Sequence, residues 1–131
     1  MSYIPKYILK RMFKKDCVKK VEDGVEIEMI NVISPLSIED GIPEDPWNSV
    51  DIRVDGKNLD VEAKKQATIS VEDNTYSVAK AKEFEGVVIP VGEKVKLFLP
   101  VEGIEAGEEH EFEVVIQTDN PFQIKVKREV Q

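Results

Sequence analysis

Apolar and polar positions alternate most regularly near the carboxyl end, in "EHEFEVVI" and "FQIKVKRE". Successive side chains on an extended chain face opposite ways, so His110, Phe112, Val114 and Ile116 share one face, while Glu111, Glu113 and Gln117 share the other. In the second run Phe122, Ile124 and Val126 oppose Gln123, Lys125 and Lys127. A hairpin with like faces together pairs Val114 with Ile124, Glu113 with Lys125 and Glu111 with Lys127, and opposite charges then meet across the ladder. The apolar face carries the stability of such a hairpin, since each exposed charge pair contributes only about 0.2 to 1 kcal/mol.

The same period recurs along the chain. "CVKKVEDGVEIEM" reads as a hairpin, with Asp23 and Gly24 supplying the positive φ of a tight turn and Val25, Ile27 and Met29 facing inward. "SVDIRVDG" puts Val50, Ile52 and Val54 inward and turns at Asp55 and Gly56; "ATISVEDNTYS" is a further hairpin turning at Asp73 and Asn74. "KVKLFLP" sets Val95, Leu97 and Leu99 on one face. After Met29 the alternation breaks at Ile30, Val32 and Ile33, which predicts a bulge or a strand covered on both faces. "AKAKEFE" is long enough for one helical turn. "YIPKYILKRMF" fits neither the helical nor the strand period and is assigned as a strand joining a sheet edge. Strands recurring at intervals of about ten residues predict an all-β fold, a single antiparallel β-sandwich of immunoglobulin or fibronectin type over residues 1–131.

"ISPLSIEDGIPEDPWNS" is the longest connection, because Pro35, Pro43 and Pro46 each remove a backbone donor. Trp47, the only tryptophan, stands at its end. Its ring either plugs the core or, with Asn48 and Asp45, forms a ligand or partner contact.

Composition narrows the classes. The chain has 131 residues, 41% hydrophobic and 34% charged, which suits an ordered globular protein. No run approaches the roughly twenty apolar residues of a membrane span, and "MSYIPKYILK" lacks the apolar core of a signal peptide, so a cytoplasmic protein without a membrane role is expected. Cys17 is the single cysteine, with no internal disulfide partner, and with Val18 and Val21 as neighbours it reads as a buried thiol. The net charge of −8 is unevenly spread: residues 1–20 carry seven lysines and arginines against Asp16 alone. The acidic remainder repels phosphates, and no stacking face accompanies the basic segment, so no nucleic acid partner is expected and the lysines are assigned to a solvated edge strand. Lysine and glutamate dominate over three arginines, a bias found in proteins from hot environments.

Parts for catalysis are sparse. His110 is the only histidine, and no serine or cysteine lies near it in sequence to complete a relay; it is expected to be structural, at a sheet end with its ring partly wet. Glu108, Glu109, Glu111 and Glu113 supply carboxylates of the kind that hydrolyse glycosides, but alternation sends neighbours to opposite faces. "SIEDGIPEDP" offers Glu39, Asp40, Glu44 and Asp45, yet its two prolines do not match a calcium-binding loop. A phosphate-cradling glycine loop, a nucleophile elbow and an HExxH motif are all missing from the sequence. The expectation is therefore no catalytic residue, no metal ligand and no cofactor.

The order "CVKKVEDGVEIEM", "SPLSIEDG", "SVDIRVDGKNL" and "KVKLFLPVEGIEAGEEHEFEVVI" resembles the small β subunits of C-glycoside deglycosidases and their uncharacterised relatives. The resemblance spans most of the chain and departs at "IPEDPW" and at the basic amino terminus. It implies a β-sandwich that packs on a larger barrel subunit, with metal and catalytic residues in that partner. The expected function is thus a non-catalytic accessory or protein-interaction domain, binding a larger subunit or another copy of itself. The alternative is a stand-alone module that binds a carbohydrate or other small ligand through Trp47, Asn48 and Asp45.

Overall fold

Segments with period-two patterning form antiparallel strands. The computed structural model describes residues 5–33, 35–37, 45–116 and 122–131. In chain order the strands are β1 (Val18–Val21), β2 (Gly24–Ile30), β3 (Leu36–Ser37), β4 (Val50–Val54), β5 (Lys57–Asn58), β6 (Thr68–Val71), β7 (Asn74–Ser77), β8 (Val88–Ile89), β9 (Lys94–Leu99), β10 (Glu109–Ile116) and β11 (Phe122–Glu129). A five-stranded sheet runs β1-β2-β9-β6-β7, a four-stranded sheet runs β11-β10-β4-β5, and β3 pairs with β8 as a separate ribbon. The chain is mostly β, as expected.

The register of β10 on β11 is the one the charges dictate: Val114↔Ile124, Glu113↔Lys125 and Glu111↔Lys127. The lysines nevertheless reach diagonally, Lys125 to Glu111 at 3.5 Å and Lys127 to Glu109 at 3.4 Å. Glu113 instead accepts from Arg53 Nη1 at 2.8 Å, across the β4–β10 seam, and from the Gln123 amide. That short contact with Arg53 holds the Glu113 carboxyl below its usual range.

Three turns show where side-chain chemistry and backbone geometry part. Asp55 and Gly56 have φ of 54° and 83°, the left-handed pair expected of a two-residue hairpin. Gly24, by contrast, lies within β2 and not in the turn, which consists of Glu22 and Asp23 between the paired Val21 and Gly24. Its missing side chain serves close approach, because a Cβ there would sit 2.0 Å from the Leu99 carbonyl oxygen. The β6–β7 turn is likewise one residue earlier than expected: Glu72 takes the positive φ of 57° and Asn74 opens β7.

The amino-terminal segment is a helix, α1 (Lys6–Met12), and not the edge strand its sequence suggested. Two causes are visible. The outer edge of β1 is already taken by the last residue, with the Gln131 amide donating to the Val18 carbonyl at 2.9 Å and the Lys20 amide to Gln131 at 3.0 Å. A helix also turns Ile8, Leu9 and Met12, followed by Phe13, toward the core, where Met12 and Phe13 are buried. Lys10 and Arg11 in its last turn suit the negative end of the helix dipole. The Arg128 guanidinium then fastens this segment to β11, donating to the carbonyls of Phe13 at 2.8 Å and Lys14 at 3.3 Å. A second short helix, α2 (Val61–Gln66), was not anticipated; Asp60 caps it by accepting the Ala63 amide at 2.8 Å. "AKAKEFE" falls in a 3₁₀ segment, Val78–Phe84, kinked at Lys80. Among the described residues no helix is long and apolar enough to cross a membrane.

The broken alternation after Met29 marks the end of β2 at Ile30. Asn31 follows, buried, with its amide donating to the carbonyls of Ile89 at 3.0 Å and Pro90 at 3.3 Å, which anchors the β3–β8 ribbon. Apolar burial divides into two groups. The larger joins both sheets around Val18, Val25, Leu99 and Val130, and the smaller gathers Val71, Ile89 and Val95. Between the sheets lies a cavity of about 260 Å³.

Candidate functional site

A cleft of about 590 Å³ opens where the β4–β5 turn meets the connection between β9 and β10. Asp55, Lys57, Asn58, Asp60, Glu102 and His110 contribute its polar lining. His110 begins the inward face of β10 with only 17% of its side chain exposed. Its Nδ1 lies 2.5 Å from Asp55 Oδ2, and its Nε2 lies 3.3 Å from Glu108 Oε1. Each carboxylate is also fixed by backbone: the Glu111 amide donates to Asp55 at 2.9 Å and the Glu105 amide to Glu108 at 3.1 Å.

The electrostatics follow from those bonds. The hydrogen bond to Asp55, and more weakly that to Glu108, favours the protonated ring and raises the His110 pKa. The Glu111 amide and then His110 hold Asp55 below the usual carboxylate range; the Glu105 amide and then His110 do the same for Glu108. An imidazolium donates to both acids at once, whereas a neutral ring turns a lone pair toward one of them. With both nitrogens committed, neither is left to take a proton from a molecule in the cleft. The two acids are about half exposed, at 51% and 53%, so the cluster sits at an open rim. The acids do converge on His110, more closely than its position in the sequence implied, and the arrangement joins the β4–β5 turn to β10.

Trp47 lies on a 3₁₀ turn, Pro46–Asn48, with Pro46 buried beneath it. The ring is half-buried, and Lys65 Nζ of α2 stands 4.6 Å from its centroid, a cation–π contact. Asn48 and Asp45 are exposed and bonded to each other at 2.7 Å. All three residues singled out from the sequence therefore share one turn, but one ring face is engaged by an ammonium and the two polar groups satisfy each other. Cys17 is buried, and burial pushes its thiol pKa up. Glu39, Asp40 and Glu44 lie outside the described residues. Among the described residues no group of three or more histidine, cysteine or acidic side chains is placed to hold a metal.

A surface feature absent from the sequence reading stands beside the ribbon. Ile33, Val88 and Val91 are 56%, 52% and 53% exposed, close together because Asn31 ties residues 31–33 to the stretch from Val88 to Val91. Of the apolar run after Met29, Ile30 and Val32 are partly buried and Ile33 alone is exposed. Compared with known protein families and with curated proteins, the chain matches none.

Proposed function

We propose that the chain is a non-catalytic accessory domain that works by binding a larger protein, as the small subunit of a sugar-processing assembly of the C-glycoside deglycosidase kind. Its architecture is then a sandwich of immunoglobulin or fibronectin type whose loops and ribbon meet the partner. The observation that carries this reading is the apolar trio Ile33, Val88 and Val91, each more than half exposed, on and beside the ribbon that Asn31 anchors to the core. Three large aliphatic side chains held in water on a fixed platform are the mark of an interaction surface. The engagement of both His110 nitrogens by carboxylates supports the non-catalytic part.

The alternative, a stand-alone carbohydrate or small-ligand module built on Trp47, Asn48 and Asp45, has less support, because those groups are already engaged with Lys65 and with one another. Native chain purified from its own cells is expected to travel with a larger protein in size-exclusion chromatography. Val88→Asp combined with Val91→Asp should release that protein while leaving the thermal midpoint within about 2 °C, as surface substitutions do. Native chain that travels alone, or a double variant that keeps its partner, would sink the reading.

A further inference from the structure

Strand alternation points Met29, Ile69 and Leu97 of one sheet at Val114 and Ile124 of the other, yet all five remain only partly buried. They line the cavity of about 260 Å³, with Phe84 at its margin. Glu113 also borders it, but its carboxylate is committed to Arg53 and Gln123 on the opposite face of β10. The remaining described lining is hydrocarbon. Water is a poor occupant of such a space, since a buried water needs two to four polar partners.

From the hydrocarbon walls contributed by both sheets and the volume of the partly open space between them, we propose that this cavity binds the alkyl part of a small lipophilic molecule, a chain of about eight carbons. The length follows from volume: at about 30 Å³ for each water-sized group, the space takes about nine of them. Selectivity comes from size and polarity and not from hydrogen bonding, because the described wall offers a chain no donor or acceptor. Ile89 of the ribbon also lines the site, but the exposed Val88 and Val91 do not, so an alkyl ligand and a protein partner would meet different side chains.

The test is titration of the full chain with octan-1-ol and, in parallel, octane-1,8-diol, read by the methyl NMR signals of Leu97, Val114, Ile69 and Ile124. Octan-1-ol is expected to give saturable shifts at those methyls, and the diol to bind at least about tenfold more weakly, since one hydroxyl has to enter an apolar space. Val114→Phe should fill the cavity, abolish the octan-1-ol shifts and raise the thermal midpoint by about 2 to 6 °C. Ile69→Phe reaches the same space from the opposite sheet and decides the matter if the first variant does not fold. The proposal is overturned if the alcohol fails to saturate below its solubility limit, if alcohol and diol bind alike, or if both phenylalanine variants lower the midpoint.

Discussion

One end of the paired sheets, around Val18, Val25, Leu99 and Val130, is sealed to within 1% exposure; the other, around Met29, Leu97, Val114 and Ile124, is not. The strands are the same strands, since Leu97 and Leu99 are two residues apart on β9 and point the same way. Among the described residues the open end receives Phe84 and Ile89 from outside the two sheets, and still keeps Met29, Leu97, Val114 and Ile124 partly exposed. The sealed end receives Met12 and Phe13 from the α1 segment, Ile104 from the β9–β10 connection and Val130 beyond β11. Two facing sheets bring apolar surfaces together, but side chains from outside the sheets decide whether the space between them is filled.

Gly24 gives the harshest way to probe the sealed end. Gly24→Ala places a methyl group against the Leu99 backbone oxygen, which no rotamer change relieves, and should cost about 3 kcal/mol in urea denaturation. A loss under about 1 kcal/mol would mean that β2 and β9 separate easily and that the end is not rigid. Next in size is a matched pair on β9. Leu99→Ala should cost about 3 to 4 kcal/mol, whereas Leu97→Ala, whose side chain is only partly buried, should cost about 2 kcal/mol. Equal losses would erase the distinction between the two ends.

The smallest effect concerns the polar rim beside Ile104. His110 has a raised folded pKa, so its contribution is fully present below the unfolded value and is lost as pH rises through the folded one. Asp55 and Glu108 have lowered folded values, so theirs is present above the ordinary carboxylate range and is lost as pH falls through it. Thermal midpoints should therefore peak between those ranges, at mildly acidic pH, and decline as pH rises above the ordinary histidine range. His110→Gln should flatten the alkaline decline alone; an unchanged profile would show that the ring contributes nothing to the rim.

Legibility in the sequence followed distance along the chain. The β10–β11 register could be read because the two runs are adjacent and each carries both an apolar and a charged face. The β4–β10 seam could not, although Arg53 and Glu113 are as complementary as any pair, because they lie sixty residues apart and nothing local selects between partners. Asp55 was legible as a turn residue and illegible as the partner of His110 for the same reason. The α1 helix was misread because its seven residues are too few to show a helical period clearly, and because the edge it was expected to join is occupied by Gln131. Trp47, Asn48 and Asp45 were rightly grouped by proximity, but the Lys65 ammonium over the ring comes from a helix whose cap, Asp60, drew no notice. The cavity left no trace at all, since Leu97 and Leu99 occupy equivalent positions in the same alternating run.

β9 lies between β2 and β6, and β10 between β11 and β4, so two consecutive strands sit inside the two sheets, one in each. Before they dock, the β1–β2 and β6–β7 hairpins can form quickly but present unpaired edges. Assembly is then governed by two slow, long-range closures that share one short connection, residues 100–108. That interval is when the chain is most open to pairing with its neighbours, and the lysines of β1 and β9 are placed to discourage it.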